Sequence, residues 1–378
     1  MSTVKANTFQ DASGGSTATI NGMTPTADSL QGFRNRIING DMRIDQRNAG
    51  ASVTPTTNTY TLDRWNSANS VTSKYTVQQN AGSVTPPAGF KNYLGATSSS
   101  AYSVGSGEYF SLVQPIEGFN VADLGWGAAG AATVTLSFWV RSSLTGTFGG
   151  AFNDSVFSRS YPFSYTISAA NTWELKSVTV AGDTSGTWLT TNGVGIFVRF
   201  SLGSGATVSG TAGSWAGAAY TSATGATSVV GTNGATFYIT GVQLEVGSVA
   251  TPFERRPYGM ELALCLRYYE KSYRQSVAVP TNSSLNGFSI AVPNKNLTGS
   301  TTNERVQYIV FNESKRAAPT ITFYTLTNST AGSWEDGGGA AIAMATNGIS
   351  ETGFACFNNA NVSTNTQLAG HWVASSEL

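Results

Sequence analysis

Apolar and polar side chains alternate with a period of two through most of the chain from Phe33 to Phe253. In "TVTLSFWV", Val134, Leu136, Phe138 and Val140 fall on one face and Thr133, Thr135 and Ser137 on the other, as in a half-buried strand. "VGIFVRFSL" repeats the pattern with Val194, Ile196, Val198, Phe200 and Leu202. In "TFYITGVQLEV" the alternation passes through Phe237 and Ile239, slips by one residue at Thr240-Gly241, and resumes at Val242 and Leu244. A one-residue slip at a glycine predicts a β-bulge. Such runs, separated by Gly/Ser/Asn turns and longer loops, predict two antiparallel sheets packed as a sandwich.

The flanking regions follow other patterns. Residues 1–32 have no hydrophobic period and are rich in Thr, Ser, Ala and Gly, so they predict an extended arm ordered by a partner. Pro257 and Gly259 open a predicted helix, "MELALCLRYYEKSY", in which Leu262, Leu266, Tyr269 and Tyr273 share one face. Glu261 near its start and Lys271 and Arg274 near its end suit the helix dipole. Leu266 belongs to the apolar stripe and Glu270 lies off it. Beyond the helix, "NGFSIAVP", "RVQYIVFN", "PTITFYTL", "GGAAIAMA" and "TGFACFN" read as strands of a second, smaller β-domain. The expected organisation is an arm over 1–32, a β-sandwich over 33–256, and a linking helix with a C-terminal β-domain over 257–378. The fold class is all-β.

Composition sharpens this picture. Charged residues make up only 11% of the 378, against about 25% in ordinary globular proteins. Lys+Arg and Asp+Glu balance at 21 each, so no net field draws nucleic acid or an anionic membrane. No run approaches the roughly 20 apolar residues of a membrane span, and "MSTVKANTFQDASGG" lacks the apolar core of a signal peptide. The expectation is a chain made in a reducing cytoplasm, with Cys265 and Cys356 as unbridged thiols. Against this scarcity of charge, Glu254, Arg255 and Arg256 stand together where the last sandwich strand ends. Arginine's planar fork suits bidentate contacts, so these three are expected to fix a domain junction or to meet another subunit.

The chain offers little for catalysis. Its one histidine, His371, has no G-x-S-x-G elbow to serve, and no Cys/His cluster has zinc spacing. No phosphate-binding glycine loop follows a strand. Asp41, Asp45, Asp63, Glu108, Glu117, Asp123 and Asp154 could pair in space as hydrolytic carboxylates, although surface and turn roles account for each. No catalytic residue, metal ligand or cofactor is therefore expected. Sugar binding needs less, namely an aromatic face and a few polar edges. Trp126, Trp188 and Trp215 lie in glycine-rich, loop-like contexts, and Trp126 and Trp215 are the candidate ligand contacts. The alternative for each tryptophan is a plug at the end of the sandwich.

The stretches "GFRNRIINGDMRIDQRNAG", "YTLDRWNS", "TLSFWVRSS", "NTWELKSVTVAGDTSGTW", "FYITGVQLEVGSVATPFERRP", "ELALCLRYYEKSY" and the final "ASSEL" occur in that order. Together they resemble a family of tailed-phage fibre and appendage proteins, and "VKANTFQDASGGSTATINGMTPT" looks like the attachment arm of such fibres. The family's central part is similar to jelly-roll carbohydrate-binding modules. The resemblance implies a jelly-roll sandwich opening on a strand at "NGDMRI". It also implies a virion location after release by lysis, host-surface attachment through a glycan, and partner tail proteins at the arm. A homotrimer is expected, because phage fibres commonly have threefold symmetry and low-charge faces are easily buried between subunits. A glycan depolymerase and a purely structural connector or head fibre are the alternatives. One departure matters: Arg43 stands where calcium-containing modules often have a glutamate, and Thr240-Gly241 replaces aspartates of the closing strand. Asp41 and Glu245 alone are too few carboxylates for a hard cation, so no calcium is expected there.

Overall fold

In the computed structural model, residues 33–282, 289–291, 306–358 and 367–378 are described. The expected arm at 1–32 lies outside them. The alternating runs form two antiparallel sheets, so the chain is an all-β sandwich with one short helix. One sheet has six strands in the order β1 (Thr59–Leu62), β2 (Trp65–Asn69), β5 (Tyr109–Glu117), β10 (Val194–Ser204), β7 (Gly146–Asn153) and β8 (Ser160–Ile167). The other has five: β3 (Tyr75–Gln79), β4 (Leu94–Ser98), β13 (Thr236–Val246), β6 (Val134–Ser142) and β9 (Glu174–Val180). The chain crosses between the sheets repeatedly, as a jelly roll does. Val134, Leu136, Phe138 and Val140 of β6 meet Ile196, Val198, Phe200 and Leu202 of β10 in one core. A short parallel pair, β11 (Ser209–Gly210) and β12 (Ser222–Ala223), lies beside β7, β8 and β10.

The predicted bulge is present. The register of β13 against β6 shifts between Thr240 and Gln243, and Gly241 has φ +61°. A Cβ at Gly241 would approach the Phe90 ring to 2.6 Å, so a side chain there must displace a packed aromatic. The extra residue lets Ile239 and Val242 both reach the core.

The opening segment differs from the expectation. "NGDMRI" is not a strand, because its side chains take the places of ladder partners. Asn35 donates from Nδ2 to the Val242 carbonyl and accepts from the Ile37 and Leu244 amides. Asn39 donates to the Ile44 and Asp63 carbonyls, and Gln114 bonds both backbone groups of Ile38.

The helix is shorter than its stripe suggested. Helix α1 spans Tyr258–Leu266, and Tyr269–Lys271 is a strand, β14. Its three residues pair with Ser375, Ala374 and Val373 of β21 (Leu368–Ser375). The ladder thus replaces the expected last turns, and Lys271 lies in a strand rather than at a helix end. Strand β21 also pairs with β15 (Ser289–Ala291), β17 (Thr320–Tyr324) and β18 (Ser333–Asp336). Beyond β18 the sheet continues through β19 (Ala341–Asn347) and β20 (Gly353–Asn358) to β16 (Val306–Val310). Trp334, Phe323, Phe354 and Trp372 form the core of this part. His371 is buried there, stacked on Tyr273 with ring centroids 3.6 Å apart, and its Nδ1 lies 3.2 Å from the Ser272 hydroxyl. Cys265 and Cys356 are both buried free thiols.

Charge gathers where the two parts meet. All but two of the ion pairs among the described residues have a partner in 34–64 or 254–270. Arg64, at the tip of the β1–β2 hairpin, bonds Glu377 and the Pro115 carbonyl, with its guanidinium 3.6 Å from the Tyr268 ring centroid. Arg47 takes the other Glu377 oxygen, and Glu117 accepts from Arg267 and from the Tyr268 hydroxyl. Glu254 accepts from the Phe33 and Asn35 amides. Arg256 reaches the carbonyls of Asn35 and Ile37 and the Glu261 carboxylate. Arg255 instead lies over Phe90, 4.5 Å from its centroid. Glu254 and Arg256 therefore clasp the beginning of the sandwich to its end, and Arg256 also holds α1.

Glu270 is buried rather than on a polar helix face: it pairs with Lys315 at 2.5 Å and accepts from Asn312. Glu270→Ala would strand the Lys315 ammonium, so it is expected to cost about 3–5 kcal/mol, comparable to Leu266→Asp. Glu270→Leu with Lys315→Met should recover most of the loss. Urea denaturation of the three variants checks this, and a stable Glu270→Ala protein would contradict it.

Lys271 donates to the carbonyls of Gln46, Gln275 and Val277, and burial pushes its ammonium down to about 8. The folded state thus holds this proton less tightly than the unfolded chain, where lysine titrates near 10.4. Below pH 8 both states are charged and the burial penalty is fully present. Between about pH 8 and 10.5 the unfolded state binds more protons, so this group makes stability rise with pH. The difference in unfolding free energy between the native chain and Lys271→Met should grow in favour of the native chain from pH 7.5 to 9.5. A pH-independent difference would count against it.

Candidate functional site

The outer face of the six-stranded sheet carries a groove. Alternation that sends Trp65, Leu112, Ile116, Val198 and Phe200 inward turns Asn66, Val113, Pro115, Phe197 and Arg199 outward. Register then sets them side by side: Asn66 lies opposite Val113, Val113 opposite Arg199, and Pro115 opposite Phe197. Tyr60 and Asn58 form one end with Leu378, and Phe157, from the loop between β7 and β8, forms the other wall. The groove has a volume of about 240 Å³. That is somewhat below the roughly 300 Å³ at which clefts for drug-sized ligands begin.

Its polar groups are unusual. Arg199 is only 5% exposed, yet its Nε and Nη1 donate to nothing. Among the described residues no carboxylate pairs with it. Burial pushes its guanidinium down to about 10. Aromatic faces surround it instead, with the centroids of Phe157, Phe197 and Tyr109 at 4.9, 5.3 and 6.0 Å. Phe157 and Phe197 stack at 5.1 Å with planes 15° apart. Phe157 holds φ +57°, a left-handed backbone that costs a non-glycine residue about 1 kcal/mol or more. Its loop is tied down at Asp154, which accepts from the Ser158 hydroxyl and the Arg159 amide, and by Arg159 on Asp183. The Asn66 Oδ1 on the same face also lacks a partner.

The two tryptophans expected to contact ligand are brought together, but not as an exposed platform. Trp126, Trp188 and Trp215 meet edge to face, with centroids 4.8–5.4 Å apart, and Tyr161 packs on Trp215. Their ring N–H groups donate to the carbonyls of Ala132, Ser185 and Ala181. Trp126 is 9% exposed and joins the main core, so it plugs the sandwich; Trp215 is half-buried against it. Edge-to-face packing explains the difference, since each ring covers another's face.

The carboxylates singled out for possible hydrolysis have structural partners. Asp41 pairs with Arg43, Asp63 accepts from Gln46, and Glu108 accepts from the Gly105 amide and the Tyr102 hydroxyl. Asp45 accepts from the amides of Asn48 and Gly50, and Asp123 pairs with Arg36. Glu245, the other carboxylate considered for a cation, accepts from Thr251 and Gln243.

Sequence reasoning missed the groove. A signal was present in "VGIFVRFSL", where the residues off the apolar face include Phe197 and Arg199 between the small Gly195 and Ser201.

No family model matches the chain, and no curated protein matches it. Several solved structures are similar at low identity. The enzymatically active domain of tailspike protein 4 from bacteriophage CBA120 is 13% identical with a TM-score of 0.31, covering 57% of this chain and 22% of that one. This chain thus spans well under two thirds of that tailspike's length. A family 4 carbohydrate-binding module is 13% identical with a TM-score of 0.28, covering 55% of this chain and 98% of that one. The family 11 module of Clostridium thermocellum, solved with a β-1,3-1,4-mixed-linked tetrasaccharide, is 10% identical with a TM-score of 0.26, covering 53% and 98%.

Proposed function

We propose that this chain is a non-enzymatic virion adhesin, a tail-fibre or appendage subunit that holds a host-surface glycan in the groove over Phe197 and Arg199. The observation that carries this reading is the groove's chemistry: flat apolar ring surface beside polar groups that have no partner among the described residues. A pyranose presents the complement, an apolar face with hydroxyls at its rim. The structural engagement of the candidate carboxylates favours binding over hydrolysis. The motif resemblance to phage fibres supports synthesis in the host cytoplasm, release by lysis, and attachment of residues 1–32 to other tail proteins. Weak binding at each groove suffices when many copies act together.

Purified chain should bind host cells or their surface polysaccharide without releasing reducing ends. Phe197→Ala should weaken binding about tenfold, the loss of one stacking contact, while Trp126→Ala should lower the melting temperature instead. Reducing-end release that disappears on replacing one carboxylate would establish the depolymerase reading.

The resemblance to phage fibres, which commonly have threefold symmetry, supports a homotrimer of the full chain. Light scattering at micromolar concentration checks this, and a stable monomer would refute it.

A further inference from the structure

Resting on that reading of the groove, we propose that its ligand is an acidic saccharide whose sugar carboxylate seats on Arg199. Elsewhere among the described residues, buried cations have partners inside the chain: Arg64 with Glu377, Arg256 with Glu261, Lys315 with Glu270, and Lys271 with three carbonyls. Arg199 is buried as deeply, yet among the described residues no carboxylate meets it and two of its nitrogens have no acceptor. A buried guanidinium without an anion is costly, and such a group in a native structure calls for a partner. None of the described residues satisfies it, and the groove lined by Arg199 opens on the surface of the sheet, where a partner from outside has access.

The surroundings select the kind of anion. Phe157 and Phe197, nearly parallel, lie against the guanidinium and keep water from its buried nitrogens. Planar oxygens entering the plane of a guanidinium form the bidentate pair that arginine makes best. A carboxylate on a pyranose supplies those oxygens while the sugar face rests on a ring of the pair. Asn66, in the same row of the sheet, adds a side-chain amide to the groove's lining. The strained Phe157 backbone is accounted for as well, because it places the ring that shields this pairing.

The test uses the full chain on an array of neutral, carboxylated, sulfated and phosphorylated glycans, with each carboxylated glycan repeated in carboxyl-reduced form. Carboxylated glycans should bind at least about tenfold more tightly than their reduced forms. Arg199→Met should abolish that preference, bringing carboxylated glycans to the level of the reduced ones. Its melting temperature should not fall, because an unpaired buried charge has been removed. Phe197→Ala, which keeps the arginine, should weaken binding to both forms. Equal binding of carboxylated and reduced forms would overturn the acidic-ligand proposal and leave the glycan-binding reading intact. Selectivity for sulfated or phosphorylated glycans alone would do the same. A preference unchanged in Arg199→Met would place the recognition elsewhere. Binding to no glycan at all would overturn both readings.

Discussion

The seam of buried charge between the sandwich and the C-terminal sheet is the constraint on which the rest depends. An ion moved out of water is costly, and the cost is offset only when a counter-ion and hydrogen bonds meet it in good geometry. Arg64 shows the condition met in full: Glu377 and the Pro115 carbonyl accept from it, and Tyr268 covers its face. Displacing any one partner would leave the others buried and unpaired. A chain with few charges has concentrated them where a misfit is penalised most heavily, so the seam accepts one arrangement and resists approximate ones.

That arrangement reaches the groove. Strand β2 begins next to Arg64 and carries Asn66 on its outer face. Glu377 is held by Arg47 and Arg64, and Leu378 beside it accepts from the Tyr60 hydroxyl and lines the groove's end. Strand β5 carries Pro115, whose carbonyl Arg64 uses, opposite Phe197. The same few residues therefore lock the C-terminal part in place and form one wall of the candidate site. Arg199 is the exception that gives this pattern meaning. Among the described residues the buried cations Arg64, Arg256, Lys315 and Lys271 are answered from inside, and Arg199 meets no carboxylate.

Much of the architecture was legible along the chain. Alternation marked β6, β10 and both sides of the slip in β13, because each has one face on the core and a period of two that polar residues make visible. The slip at Thr240-Gly241 located the bulge, since only a register change keeps both Ile239 and Val242 buried. The cluster Glu254, Arg255, Arg256 stood out in a charge-poor chain; Glu254 and Arg256 hydrogen-bond to residues near the start of the sandwich, and Arg255 lies over an aromatic ring.

What the sequence determined by itself was the local periodicity and hence the class, an all-β sandwich with a short helix. Tertiary structure decided everything that depends on which surfaces meet. Strand β21 was invisible because most of it is buried, so "LAGHWVAS" shows no alternation. Tyr269–Lys271 could equally extend a helical stripe, and only pairing with β21 made them a strand. Glu270 and Lys271 look like surface charges until Lys315 and three carbonyls close around them. Trp126 and Trp215 read alike in sequence, yet mutual packing buries one and leaves the other half-exposed. The groove joins residues of four separate strands and a loop, with Phe157 brought over Arg199 across 42 positions of chain. No local pattern encodes that meeting, because sheet register and loop backbone set it.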